Sequence, residues 1–168
     1  MHDVRDRRRA LIPNGLMAVV AVILAVLLLG CGSSSDLSGA DKAAYETTFC
    51  AALKGLADNQ SDFRTVLGSS SQQEALAALE RVKNRAASGA DGLEEAAKKW
   101  APGADLARGF ESALRDLLPI LDHLGTAGLN GDVAAWQTAS HQYTVWYTNT
   151  QTTIAKAVPV VESLGLVC

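Results

Sequence analysis

Residues able to do chemistry are few in this chain, and their spacing matches no familiar reaction centre. Beyond Cys31 there are two histidines, His123 and His141, and two further cysteines, Cys50 and Cys168. A di-iron bundle or a helix-borne zinc site needs E-x-x-H or H-E-x-x-H, which puts two ligands on one helix face; neither histidine has that neighbourhood. The serine clusters "GSSSD" and "GSSSQ" contain no G-x-S-x-G. No G-x-x-x-x-G-K-[ST] loop is present to cradle phosphates. Glu94 and Glu95 are adjacent, so on a helix they point in different directions and do not flank a substrate as an acid/base pair. Arg81, Lys83 and Arg85, like Lys98 and Lys99, read as solvated helix faces. His123 follows Asp122 near a helix end, where a cation is favoured by the dipole, and His141 reads as a surface residue. The expectation is a non-enzymatic protein with no metal and no cofactor.

One segment stands apart. From Val133 to Ala155, "VAAWQTASHQYTVWYTNTQTTIA", no residue is formally charged, yet Thr, Gln, Asn, Ser and His make it far too polar for a membrane span. It holds Trp136, Tyr143, Trp146 and Tyr147. Uncharged polar side chains interleaved with Trp and Tyr cost little to desolvate and suit a contact surface for a partner. The same pattern also suits a helix wedged between two neighbours with threonines at its margins.

The elements that must position these residues are helical throughout, and no strict alternation bounded by hairpin turns suggests a sheet. Tyr45, Phe49, Ala52, Leu53 and Leu56 form one stripe of a first helix starting near Asp41. Phe63, Val66 and Leu67 continue it or form a turn after a break near Asn59. Ser71 and Glu74 make a capping box opening a second helix. Its stripe, Leu76, Leu79, Val82, Ala86, Ala90, Leu93, Ala97 and Trp100, keeps phase across Gly89 and Gly92, which favours one long helix. Pro102 and Gly103 end it. A third helix runs through Leu106, Phe110, Leu114, Leu117, Leu121 and Leu124, with a kink expected at Pro119 and a stop at Gly125. After the turn-rich "GTAGLNGD", the fourth runs from about Gly131 to Leu164, with Val133 at the start of its seam. Four helices with short links predict an all-α, up-down four-helix bundle.

The start of the chain carries a different signal. "RDRRR" precedes an apolar run from Leu16 to Leu29, whose 14 residues fall short of the roughly 20 that span a bilayer. Leu28-Leu29-Gly30-Cys31 resembles the lipobox of bacterial lipoproteins. That resemblance implies cleavage before Cys31, a thioether-linked diacylglycerol on its sulfur, further acylation such as palmitate on the new amino terminus, and anchorage at the outer face of the cell membrane. Two or three chains anchor stably where one does not. Arg8 and Arg9 also loosely resemble a twin-arginine export signal, which leaves the export route open. The chain then divides into a signal peptide (1–30), the lipidated cysteine with a flexible Gly/Ser tether (31–40), and a helical domain (41–168). An Ala-rich helical domain with two cysteines is similar to small helical lipoproteins of actinobacteria, mycobacteria among them.

With Cys31 taken by lipid, Cys50 and Cys168 form an even pair in an oxidising compartment, and a disulfide is the expectation. Two buried thiols or a redox pair are the alternatives, the latter without a C-x-x-C. In an up-down bundle the end of the fourth helix lies beside the start of the first, which brings the two cysteines within reach. The whole chain carries 15 basic and 18 acidic residues; removing the leader's four arginines and two aspartates leaves 11 and 16, a net −5. That balance gives no electrostatic case for nucleic acid. The residues thus suggest a lipid-anchored envelope protein that binds an envelope protein or cell-wall partner through the face bearing Trp146. The alternative is a carrier that opens between the third and fourth helices, near Pro119 and Pro159, for an apolar ligand.

Overall fold

The computed structural model describes residues 38–57, 62, 65–66 and 71–168. Cys31, the leader and most of the tether lie outside the described residues, as do Asn59, Phe63 and Leu67. The described residues form an all-α bundle of four helices: α1 (Ser38–Ala57), α2 (Gln72–Lys99), α3 (Ala101–Asn130) and α4 (Val133–Leu164).

The helix ends follow from local chemistry. Ser71 is extended, and its hydroxyl accepts the Glu74 backbone N–H at 3.3 Å, satisfying one of the donors that a helix start leaves open. Trp100 is at once the C-cap of α2 and the N-cap of α3, extended at φ −148°, so one residue links the two helices. Pro102 falls in the first turn of α3, where its missing N–H costs nothing. It therefore starts α3 rather than ending α2. Gly131, at φ 65°, and Gly165, at φ 57°, take the left-handed conformation that stops α3 and α4. Asp132 then caps α4 by accepting the Ala135 N–H at 2.9 Å.

Two expectations are corrected. Gly125 does not end α3, which runs on to Asn130; the predicted "GTAGLNGD" connection shrinks to Gly131 and Asp132. Gly128 is packed closely within the helix: a Cβ there would lie 3.3 Å from Leu76 and 3.4 Å from Trp136. Val133 is not part of the α4 seam but exposed. The continuity of α2 across Gly89 and Gly92 holds; Gly89 is buried and a Cβ at Gly92 would sit 3.2 Å from that of Ala52 on α1.

The core has two parts. At one end all four helices contribute, with Tyr45 and Phe49 from α1, Leu93 from α2, Phe110 and Leu114 from α3, and Ile154 and Val161 from α4. Rings meet there in sequence: Tyr45 stacks on Phe49 at 5.2 Å, Trp100 tilts against Tyr45 at 5.5 Å, and Phe49 meets Phe110 edge-on at 5.9 Å. Burial pushes the Tyr45 hydroxyl well above its ordinary range. The other part joins Leu79, Val82 and Ala86 of α2, Leu117, Leu121 and Leu124 of α3, and Ala139 and Tyr143 of α4. The shorter α1 does not reach it. Val66 packs there instead, and the buried Asp62 bonds Arg81 at 2.7 Å and also pairs with Arg85.

Beyond Gly165 the chain doubles back along α1. Lys42 Nζ donates to Gly165 O at 2.7 Å, and the Val167 N–H donates to Glu46 Oε1 at 3.3 Å. Cys168 is bonded to Cys50, their Cα atoms 5.3 Å apart, so the expected pair forms.

Candidate functional site

A solvent-open groove of about 530 Å³ runs between α3 and α4. The α3 wall is Gly109, Ser112, Ala113, Asp116, Pro119, Ile120 and His123, steps of three and one that keep a single helix face turned to the groove. The α4 wall, His141, Gln142, Val145, Trp146, Asn149, Thr150 and Thr153, repeats the pattern in steps of one and three. Both walls lie inside long, continuous helices, so the groove is set by rigid elements rather than by loops.

Trp146 ties the two walls together. Its indole Nε1–H donates to the Ala113 carbonyl at 2.6 Å, using that oxygen's second lone pair, and its ring tilts against Tyr143 at 5.6 Å. The small side chain of Ala113 is what lets the indole reach α3 backbone. Tyr143 lies behind it in the core, where burial pushes its hydroxyl well above the ordinary range. At the far end His123 Nδ1 stands 3.4 Å from Gln142 Oε1, a contact across the groove.

Asp116 is the one formally charged side chain in the lining. Two cations on neighbouring turns are held outside the lining. Arg115 is held by Glu111 at 2.8 Å and Glu94 at 2.9 Å, and Lys83 by Asp122 at 2.6 Å. In the α4 wall, the Thr153 hydroxyl donates to the Asn149 carbonyl at 3.3 Å. Chemically the groove offers one aromatic ring, apolar patches from Pro119, Ile120 and Val145, and a row of neutral hydrogen-bonding groups.

The four predicted contact residues are thus separated. Trp146 lines the groove, Tyr143 supports it from behind, Trp136 packs on Gly128 near the α3–α4 turn, and Tyr147 is half-buried outside the lining. Pro119 lines the groove whereas Pro159 does not. His123 and His141, read from sequence as surface or capping residues, are brought to the same groove from opposite walls, and His123 lies two turns inside α3 rather than at its end. Asp116, Ser112 and Asn149 were not visible as site residues in the sequence. Their signal is weak but physical: in each helix they stand three residues from another lining position, on a face without a core leucine.

Among the described residues no group of three or more His, Cys, Asp and Glu side chains is arranged to hold a metal ion, and no helix is long and apolar enough to cross a membrane. Compared with protein-family models, with curated proteins and with solved structures, the chain matches none of them.

Proposed function

We propose that this chain is an exported, lipid-anchored envelope protein whose helical domain is a non-enzymatic binding module, with the α3–α4 groove as its binding site. The observation that carries the binding reading is the groove itself: about 530 Å³, walled by two rigid helices and centred on a pinned Trp146. Its size falls in the range of roughly 300–1,000 Å³ usual for ligand sites. The lipobox resemblance at Leu28-Leu29-Gly30-Cys31 supports the anchor, with diacylglycerol on Cys31 holding the domain at the outer face of the membrane. The Cys50–Cys168 bond agrees with an oxidising compartment. In this arrangement α1 leads from the anchor into the end of the bundle where Trp100 and the C-terminal tail lie, and the groove stands farther out along α3.

Native mass spectrometry of the full protein extracted from its own membrane tests the reading. The expected species is residues 31–168 with acyl groups and two hydrogens fewer, and Cys31→Ala is expected to abolish acylation. An unprocessed chain of full length sinks the anchor. A photo-crosslinker at the exposed Val145 is expected to capture a specific envelope partner or wall fragment. A retained apolar small molecule would instead favour the carrier alternative, for which Pro119 in the α3 wall is the supporting feature.

A further inference from the structure

We infer that the α3–α4 groove takes a neutral, polyhydroxylated glycan chain, an inference that rests on its reading as a binding site. Its length comes first. Gly109 to His123 on α3, and His141 to Thr153 on α4, each extend about 20 Å at 1.5 Å per residue, room for several linked sugar rings in an open channel.

Chemistry decides the class. A sugar ring presents C–H faces and O–H edges, and the groove pairs an aromatic ring with neutral groups that both donate and accept. Trp146 is pinned by Ala113 and Tyr143, so its indole is preorganised for the C–H face and little ordering is lost on binding. Gln142, Asn149 and the two histidines can donate and accept, Ser112 and Thr150 carry hydroxyls, and the Asp116 carboxylate can accept hydrogen bonds from two adjacent hydroxyls.

Charge excludes the rivals. An anionic chain would face Asp116 with no lysine or arginine in the lining, and Arg115 and Lys83 on neighbouring turns are engaged by carboxylates. An acyl chain would cover a row of hydrogen-bonding side chains in an open channel without satisfying them. A partner helix needs a continuous apolar stripe, and here Asp116, Gln142 and Asn149 interrupt it.

The test titrates the full chain in detergent with maltohexaose, mannohexaose and xylohexaose, using hexagalacturonate as the anionic control, read by calorimetry and saturation-transfer NMR. At least one neutral oligosaccharide is expected to bind saturably at millimolar concentration or below, and the polyanion not to compete. Asn149 and His141 are exposed, so Asn149→Ala and His141→Ala leave the core intact. Each is expected to weaken binding about tenfold, and Trp146→Ala to abolish it. No saturable neutral ligand, a preference for the polyanion, or binding unchanged in Asn149→Ala, His141→Ala and Trp146→Ala would each overturn the glycan. The Val145 crosslinker separates the two levels: a specific protein captured in cells, with no sugar bound, removes the glycan and keeps the groove as a binding site, whereas neither removes both.

Discussion

The hydroxyl of Tyr45 donates to the Gly103 carbonyl at 2.9 Å, and the two residues are so close that a Cβ on Gly103 would lie 2.6 Å from Tyr45 Cζ. This contact seats the first turn of α3 on α1. The same position faces Trp100 at 2.9 Å, so the ring cannot yield toward the link between α2 and α3. Gly103→Ala is therefore expected to destabilise the domain by about 1–3 kcal/mol through overpacking. Scanning calorimetry should show the melting temperature several degrees lower.

Gly125 makes the opposite case. Its Cβ would meet Leu79 at an ordinary 3.6 Å in mid-helix. Gly125→Ala should stabilise by about 0.5–1 kcal/mol, through helix propensity and reduced freedom of the unfolded chain. A loss of stability in urea denaturation would show that close packing at this position is tighter than its distance to Leu79 implies.

The buried Asp62 gives a pH signature. Its hydrogen bond from Arg81, with the charges of Arg81 and Arg85, holds its carboxyl below the ordinary carboxylate range. The folded value thus lies below that of the unfolded chain, about 3.9. Stability from this pair is present in full above about pH 4 and is lost as pH falls through the depressed folded value. Asp62→Asn should lower stability at neutral pH by about 1–2 kcal/mol, with the two arginines half-exposed and screened. Urea midpoints measured toward acid should converge for the variant and the parent.

Reduction of Cys50–Cys168 opens a loop with ends 118 residues apart. In the chain-entropy account a loop of about 100 residues is associated with roughly 4–5 kcal/mol. The urea midpoint with reductant should fall accordingly, and Cys168→Ser should match the reduced parent. A midpoint indifferent to reductant would mean the Lys42 and Glu46 contacts alone hold the tail.

Trp146→Phe keeps an aromatic ring but removes the donor to Ala113. The expected cost is about 1 kcal/mol, visible in thermal melts and in loss of the Trp146 indole N–H signal by NMR.

The helices were largely legible in the sequence because their stripes recur with helical period: Tyr45 and Phe49, or Leu79, Val82 and Ala86, are buried where the period puts them. Serine at position 71 caps α2 as its spacing with Glu74 implies. The failures lie where a local signal met tertiary packing. Gly125 has the sequence of a stop, but the helix runs through it along its packing on α2, and the stop passes to Gly131, where Asp132 can cap the next helix. The groove was legible only in part. Its aromatic, Trp146, stood out by composition, whereas Asp116, His123 and Asn149 become neighbours only once α3 and α4 pack side by side, a register that neither helix carries alone.

The bond between Cys50 and Cys168 also governs how the domain bears a pull. The shortest covalent route from α1 to α4 leaves Cys50 and enters Cys168 directly, bypassing α2 and α3. Tension applied between Ser38 and α4 can peel only the α1 segment before Cys50 from its neighbours. Beyond that point the load crosses the sulfur bridge into the tail and up α4 toward Trp146. α2 and α3 stay outside that covalent path, so the α3 wall of the groove can keep its place against α4 while the stretch ahead of Cys50 gives way.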